Sequence, residues 1–283
     1  RKSWQGPTAV HAKGVEPKPL IAMTDTITLP TSSAPSSSTT LGRIAVFAYG
    51  MTCYTLGVSG LMYLILITLG LVPFTGGPLA VESTGAAIAV NLGLVALFGV
   101  QHVIMARQGF KKRWTQIIPA AAERSTFTLL AGLLMANAMW LWQPLPDVVW
   151  SVDATAGQWA LYGGCAFGWA YLLSATFAID HFELFGVKQV WRNLRGLETQ
   201  EPALMQRFHY KFDRHPIMTG VVFGIWCTPN MTFDRLVLAL GFSAYIVLGV
   251  AIEERDLIQR HGSKYVEFAR RVRTIVPRLV SYR

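Results

Sequence analysis

Long apolar stretches alternate with short polar connections over most of the chain. Four stretches contain no Asp, Glu, Lys, Arg or His: residues 44–72, 83–100, 125–143 and 154–179. Each has about the 20 residues that a helix needs to cross a hydrocarbon core of about 30 Å. A helix also satisfies its own backbone hydrogen bonds in lipid. The pattern predicts four long transmembrane helices.

The C-terminal part has a different pattern. A short apolar run over residues 217–227 follows Pro216, breaks at the TPN of residues 228–230, and is followed by a second run over residues 236–252. We expect a helical hairpin here, since Pro is well placed in the first turn of a helix. From residue 253 the chain becomes polar but keeps an apolar stripe, which predicts a pair of amphipathic helices on the membrane surface.

The N-terminal part cannot form a core. Between residues 24 and 40, eleven of seventeen residues are Ser or Thr. We therefore predict a disordered tail over residues 1–40 and a membrane domain over residues 41–283. The fold class is an all-α integral membrane protein with four long transmembrane helices, a C-terminal helical hairpin and a cytoplasmic amphipathic tail.

Charge supports this class and orients it. Only 14% of the residues are charged, against roughly 25% in soluble domains. The net charge of +9 does not indicate nucleic acid, because an up-and-down threading places 24 of the 25 basic residues on one side. The positive-inside rule makes that side cytoplasmic, with both termini there. Membrane lipids are the expected contacts of most of these charges.

Titratable residues also gather on the basic side. Five of the six histidines fall there, which favours a functional site over scattered packing. The three cysteines lie in apolar surroundings without metal-ligand spacing, so no metal is expected. There is no phosphate-binding glycine loop, and Gly163 and Gly164 lie inside an apolar segment, not after a strand.

Several motifs together resemble a known family. RHPIMTG (residues 214–220), EERDL (253–257) and HGSKY (261–265) resemble the isoprenylcysteine carboxyl methyltransferase superfamily of membrane enzymes. QHVIMAR (101–107), ERST (123–126) and DHFELFGVKQVW (180–191) resemble bacterial methanethiol S-methyltransferases. The resemblance implies a multi-pass protein of the bacterial inner membrane, with S-adenosyl-L-methionine as methyl donor and a small thiol as acceptor. It implies no obligate protein partner.

The resemblance also implies a donor site at the cytoplasmic face. Its members would be Gln189, Tyr210, Arg214, His215, Pro216, Gly220, Glu253, Glu254, His261 and Tyr265. We expect Arg214 and a helix start to hold the donor carboxylate. In a purely structural interpretation, the RHP residues begin a helix and Glu253 and Glu254 form ion pairs.

The acceptor thiol needs a base, because a free thiol is mostly protonated at neutral pH. We expect His181, oriented by Asp180, to take the thiol proton, with His102 as the second candidate. The structural alternative is that Asp180 and His181 cap a helix.

Other functions stay open at this point. The acceptor is methanethiol, another thiol, inorganic sulfide, another lipid or a prenylcysteine. A NADPH-dependent membrane reductase is a second class of enzyme with a related C-terminal pattern. A transporter would need polar residues at mid-membrane and inverted repeats, and the sequence has neither.

Overall fold

The computed structural model describes residues 39–198, 208–272 and 274. Within these ranges the chain forms ten α-helices and two short strands. In chain order they are α1 (Thr40–Thr68), α2 (Thr84–Ala106), α3 (Gln108–Trp114), α4 (Glu123–Trp140), β1 (Val148–Ser151), α5 (Thr155–Ala178), α6 (His181–Leu184), α7 (Val187–Arg195), α8 (Pro216–Trp226), β2 (Asn230–Thr232), α9 (Phe233–His261) and α10 (Ser263–Arg271). The tail predicted to be disordered lies, up to residue 38, outside the described residues.

The four predicted long segments are all helical, as α1, α2, α4 and α5. By length and composition, the described helices that suit a membrane crossing are α1, α2 and the part of α9 from Phe233 to Gln259. Neither α4 nor α5 is among them. α4 has 18 residues and begins with the charged pair Glu123 and Arg124. The chain is an all-α, multi-pass membrane protein.

Two glycine-lined contacts set the helix pairs. A Cβ atom on Gly60 of α1 would overlap the carbonyl of Gly132 on α4. On the other pair, a Cβ on Gly168 of α5 would lie 2.6 Å from the backbone nitrogen of Gly224 on α8. Small residues let helix backbones approach closely. The spacing of Gly220 and Gly224 predicts the second contact, whereas the α1–α4 contact is found only in the structure.

One end of the bundle is held by polar contacts between loops. We call it the opposite end, because the basic loops lie at the other one. β1 pairs with β2 in an antiparallel ladder. The buried Asn91 and Gln143 exchange two hydrogen bonds of 2.7 and 3.0 Å. Arg235 donates to the last carbonyls of α1, at Ile67 and Thr68. The hairpin turn is therefore joined to the loop between α4 and α5.

The basic end is where α2, α5 and α9 finish and α4 and α8 begin. Arg107 at the end of α2 makes a two-pronged ion pair with Asp256 on α9, at 2.7 and 2.8 Å. His209 lies beside α5, with a hydrogen bond of 3.1 Å to the Ser174 hydroxyl and its ring 4.6 Å from that of Tyr171. Tyr171 precedes the last residue of α5 by about two turns, or about 10 Å. The segment before α8 is thus recessed below the helix ends.

The polar tail differs from the predicted pair of surface helices. Residues 253–261 do not form a separate helix but continue α9 without a break. Only α10 folds separately, and it buries Tyr265 and Phe268 against the bundle. The physical reason is that Glu254 is paired inside the protein, so this turn of α9 is held by the bundle and not by the membrane surface.

The glycine contact of α5 and α8 gives a direct test. Gly168→Ala should lower the midpoint of thermal unfolding in detergent by several degrees, since overpacking costs about 1–3 kcal/mol. Gly163 on the same helix has nothing within 4 Å of an added Cβ, so Gly163→Ala should leave the midpoint unchanged or raise it. Tryptophan fluorescence during heating measures both. Equal midpoints for the two variants would contradict the close contact.

Candidate active site

A buried ion pair lies at the centre of the basic end. The Nε of Arg214 donates to the Oε1 of Glu254 at 2.8 Å, and the two side chains are 3% and 1% exposed. The Nη1 of Arg214 donates to the carbonyls of Ala269 and Val272, and its Nη2 to the Thr274 hydroxyl. A buried charge needs such a set of partners. Arg214 therefore holds the start of α8, the end of α9 and the tail together.

These contacts correct the expected role of Arg214. A guanidinium has five N–H groups, and the protein itself occupies donors on all three of its nitrogens. It cannot at the same time offer a two-pronged grip to a donor carboxylate. Its place in the site is to position Glu254.

His215 connects this pair to a second carboxylate. Its Nε2 lies 3.1 Å from the Oε1 of Glu254, and its Nδ1 lies 3.6 Å from the Oε2 of Glu253. Asp213 sets the backbone here, because it accepts from the His215 amide at 2.9 Å and from the Thr219 hydroxyl. Pro216 is the first residue of α8. The RHP residues thus begin a helix and also present an imidazole to two carboxylates.

Glu253 faces open space in the middle of the basic end. Its side chain is 52% exposed, whereas Glu254 is buried. The charge of Glu253 acts on Arg124 and on the hydroxyls of Tyr210, Tyr245 and Tyr265. These residues come from α4, α9, α10 and the segment before α8. Glu253 therefore marks the point at which the separate predicted motifs meet.

Several buried polar atoms around this point have no hydrogen-bond partner among the described residues. They are Gln189 Oε1, His209 Nδ1, Gln101 Oε1 and His102 Nδ1. The Tyr265 hydroxyl and the Glu254 carboxylate interact with each other, and neither Tyr265 Oη nor Glu254 Oε2 has a further partner there. An unpaired buried polar group costs about 1–3 kcal/mol. Native proteins leave few such groups, so a cluster of them indicates a place where a polar ligand binds.

The segment after α5 forms a second polar group. Gln189 donates to the backbone and side-chain oxygens of Glu183, each at 3.0 Å, and Arg192 pairs with the same carboxylate at 2.9 Å. Arg124 lies within electrostatic range of both Glu183 and Glu253. It links this group to the residues around Glu254.

His181 lies in an aromatic box at the end of α5. Its ring stacks on Phe177 at 4.3 Å and meets the rings of Tyr54 and Phe185. Burial lowers its pKa. Its Nδ1 is 2.8 Å from the Thr176 hydroxyl and its Nε2 is 2.9 Å from the Tyr54 hydroxyl.

The tautomer of His181 follows from these contacts. The Thr176 hydroxyl donates to the Leu173 carbonyl at 2.7 Å, so towards the imidazole it acts as an acceptor. The Nδ1 of His181 therefore carries the proton, and its Nε2 accepts from the Tyr54 hydroxyl. Both nitrogens of His181 are used inside the protein.

Asp180 does not orient His181, in contrast to the expectation. Its backbone is in the left-handed region at φ 90°. One carboxylate oxygen caps α6 through the Glu183 amide at 3.2 Å, and the other pairs with Lys188. These contacts hold the pKa of Asp180 below its usual value against the effect of burial. The cap of α6 and the ion pair with Lys188 thus engage both oxygens of Asp180, and the hydrogen-bond partners of the His181 ring are Thr176 and Tyr54.

His102 on α2 has the opposite surroundings. Neither ring nitrogen has a hydrogen-bond partner among the described residues. Its ring lies 4.8 Å from that of Phe127, 5.4 Å from Phe98 and 6.2 Å from Tyr245. The structure therefore presents an unbonded imidazole between aromatic walls from α2, α4 and α9.

Three other residues were predicted for the donor site: Tyr210, Gly220 and His261. Tyr210 lies next to the site, and burial raises its pKa. Gly220 packs against Gly168 and Leu172 of α5, so it allows the close contact of the two helices. His261 ends α9, and its side chain lies outside the described residues.

Sequence reasoning missed Arg124 and Asp213 as parts of the site. Arg124 stands in the ERST motif, but lipid is the expected contact of most basic residues, and the motif alone gives Arg124 no role. Asp213 precedes RHP directly, and its carboxylate accepts from the backbone amide two residues on, which is the turn contact that Asp residues commonly make.

Comparison with known proteins identifies the family. No protein-family model matches the chain, and no solved structure matches it. The chain is 39% identical over 236 residues to Methanethiol S-methyltransferase of Mycobacterium tuberculosis, which covers 83% of this chain and 97% of that protein. It is 40% identical over 236 residues to Methanethiol S-methyltransferase 1 of Bradyrhizobium diazoefficiens, which covers 83% of both.

A more distant relative is Nurim of Rattus norvegicus, 30% identical over 210 residues, which covers 67% of this chain and 78% of Nurim. Two relatives near 40% identity align over most of their own length and most of this chain, which indicates common descent and a common fold. The chain therefore belongs to the methanethiol S-methyltransferase family.

Proposed function

We propose that the chain transfers a methyl group from S-adenosylmethionine to methanethiol, giving dimethyl sulfide and S-adenosylhomocysteine. The observation that carries this proposal is the cluster of unpaired polar atoms around Glu253 and Glu254 at the basic end. The names of the relatives supply the acceptor. The cluster lies where the apolar bundle ends, so it is open to a polar donor from water and an apolar thiol from the bilayer.

The residues present fit the donor. S-adenosylmethionine carries an ammonium group, ribose hydroxyls and an adenine amine, which all need acceptors. Gln189 Oε1 is a buried acceptor without a partner among the described residues, and the Glu254 carboxylate and the Tyr265 hydroxyl face each other at the same place. We assign these three side chains, with Glu253 and Tyr210, to the donor. Arg214 and His215 position Glu254, and aromatic faces such as Tyr210 suit a sulfonium.

As general base we propose His102 in preference to His181. His181 uses both ring nitrogens in contacts with Thr176 and Tyr54. To accept a proton from a thiol, its Nε2 would have to give up the hydrogen bond from the Tyr54 hydroxyl. His102 has no such contact and lies between the aromatic rings of α2, α4 and α9. Its free acceptor nitrogen is suited to take the proton of a small thiol.

The main contribution of the protein to this reaction is to align the methyl donor with the acceptor sulfur. The bound donor supplies an electrophilic methyl group, whose bond to the sulfonium sulfur breaks as the thiolate sulfur forms the new one. The side chains around Glu253 hold the donor, and the aromatic walls beside His102 hold the acceptor and exclude water. Fixing two reactants in line contributes several kcal/mol to the rate.

For the membrane arrangement we propose four long spans, α1, α2, α4 and α5, followed by the hairpin of α8 and α9. Both termini and the basic end face the cytoplasm of a bacterial cell, in its inner membrane. The support is the charge distribution, with Arg235 as the basic residue at the opposite end, where it caps α1. The donor is made in the cytoplasm, which fits a site at the basic end.

Labelling of single cysteines tests this topology. In a variant with Cys53, Cys165 and Cys227 replaced by Ala, Val149→Cys at the opposite end should react with an impermeant maleimide on intact cells. Lys112→Cys at the basic end should react only after the cells are opened. Both positions are exposed in the structure. Labelling of Lys112→Cys on intact cells would reverse the orientation.

The activity is tested with purified protein in detergent, given S-adenosylmethionine and methanethiol. We expect dimethyl sulfide in the headspace, by gas chromatography, and an equal amount of S-adenosylhomocysteine. His102→Asn should lower kcat by about 10²–10⁴-fold, the range for loss of a proton-transfer group. His181→Gln should mainly lower the unfolding midpoint, with kcat within about tenfold of the parent.

Two results would change these assignments. No dimethyl sulfide, with methylation of a farnesylcysteine analogue instead, would overturn the proposed acceptor. The larger loss of kcat in His181→Gln would return the base to His181.

The donor assignment is tested by removing one oxygen atom. Tyr265→Phe deletes a buried hydroxyl that interacts with the Glu254 carboxylate, so the protein without ligand should lose no more than about 1.5 kcal/mol of stability and stay folded. Its affinity for S-adenosylhomocysteine, measured by calorimetry, should fall about five- to tenfold. Tyr162→Phe, at an exposed position on α5, is the control with unchanged affinity. Unchanged affinity in Tyr265→Phe would remove this hydroxyl from the donor site.

A further inference from the structure

Arg124 is a cation at the basic end whose two terminal nitrogens are not engaged. Its Nε donates to the Leu184 carbonyl at 2.6 Å, and its Cζ lies 5.0 Å above the ring of Phe127. Neither Nη1 nor Nη2 makes a hydrogen bond or an ion pair within 4.0 Å to any described residue. The charges of Glu123, Glu183 and Glu253 act on it from a greater distance.

This arrangement differs sharply from that of Arg214 nearby. Arg214 has a partner on every nitrogen, as expected of a buried structural cation. Among the described residues, Arg124 is held only through Nε and through the face of its guanidinium, which leaves four N–H donors without an acceptor there. Paired hydrogen bonds from a guanidinium are among the strongest contacts that a protein offers to an anion. The guanidinium is therefore placed and oriented, yet free to bind one.

The neighbours of Arg124 indicate what kind of anion binds there. The ring of Phe127 lies under the guanidinium of Arg124. The same ring also contacts His102, with the two ring centroids 4.8 Å apart. The charge of Arg124 acts on His102 as well. Phe98 and Tyr245 close the other sides of the imidazole, at 5.4 and 6.2 Å. A base and a cation thus share one aromatic wall, in surroundings that favour a small, largely apolar anion.

We infer that Arg124, His102 and the rings of Phe98, Phe127 and Tyr245 form the acceptor subsite, in which Arg124 binds the sulfur of a small thiol as its thiolate. This rests on the proposed methyl transfer and names the group that holds its nucleophile. The thiol proton passes to the free nitrogen of His102, and the S–H electron pair stays on sulfur. That pair forms the new carbon–sulfur bond, while the bond from the methyl to the sulfonium breaks and its electrons stay on the donor sulfur. His102 then releases the proton to water.

The proposed role explains why a cation is needed beside the base. A simple thiol is a weak acid in neutral water, and a positive charge within about 4–6 Å lowers the pKa of an acid by about 1–3 units. The same cation does not hold back the product, because a neutral thioether has no charge for Arg124 to bind. The subsite therefore binds the nucleophile and releases the product.

The test compares Arg124→Gln and Arg124→Lys with the parent protein. Arg124→Gln should raise the KM for methanethiol about 10- to 100-fold, as expected for loss of a hydrogen bond to a charged group. The rising limb of the pH profile of kcat, which reports groups in the enzyme–substrate complex, should move up by about one pH unit or more. Arg124→Lys keeps the charge and should restore part of both. The Kd for S-adenosylhomocysteine should stay within about twofold in all variants.

Two controls separate this role from a structural one. Arg113→Gln removes an exposed arginine of α3 at the same end of the bundle and should change neither KM nor the pH profile. In Arg124→Ala, added ethylguanidine at millimolar concentration should restore activity, which repair of packing alone would not do. Unfolding midpoints show that each variant is folded, and Arg124→Lys carries the test if Arg124→Gln does not fold.

The outcomes are distinct. An unchanged pH profile in Arg124→Gln overturns the inference. A large loss of donor affinity with normal KM for the thiol would assign Arg124 to the donor carboxylate and also overturn it. Failure of the parent protein to make dimethyl sulfide would instead refute the proposed function, before any variant is compared.

Discussion

The arrangement of the basic end depends on one buried interaction, the contact of Arg214 with Glu254. Removing one partner of a buried ion pair costs about 3–5 kcal/mol, because the other charge is left without compensation. In this protein both charges keep their partners: Arg214 donates to Glu254 and also to the backbone carbonyls of residues 269 and 272. Three segments that are far apart in the chain meet because this one pair must be enclosed. The carbonyls of Ala269 and Val272 and the Thr274 hydroxyl are thereby fixed beside the start of α8.

Around that pair, polar groups divide into satisfied and unsatisfied ones. Arg214, Asp213 and His181 have their hydrogen bonds completed by the protein. Gln189 Oε1 and His102 Nδ1 have no partner among the described residues. Since unpaired buried groups cost free energy and completed ones do not, the first group forms the framework and the second is left for a ligand. The same distinction separates Arg214 from Arg124 and His181 from His102, although each pair has the same side chain.

The depth of the site follows from the close helix pairs. α8 has only eleven residues, and its glycines bring it against α5 well before the end of that helix. The polar segment that precedes α8 is drawn in with it, so that His209 lies beside Tyr171. A polar donor and an apolar acceptor need a common place, and a recess of this kind below the helix ends provides one.

By itself the sequence determined the elements and the side on which chemistry occurs. Charge-free stretches of some twenty residues leave helices as the solution, and the basic loops orient them, since both effects depend on local composition. The motifs identified the family and most of the residues near the site. Tertiary structure alone decided which of these residues are free to act. Arg214 and Arg124 differ in whether other helices supply acceptors to the guanidinium, and His181 and His102 differ in whether other side chains bind the ring nitrogens. These contacts come from residues distant in the chain, so no local sequence pattern predicts them.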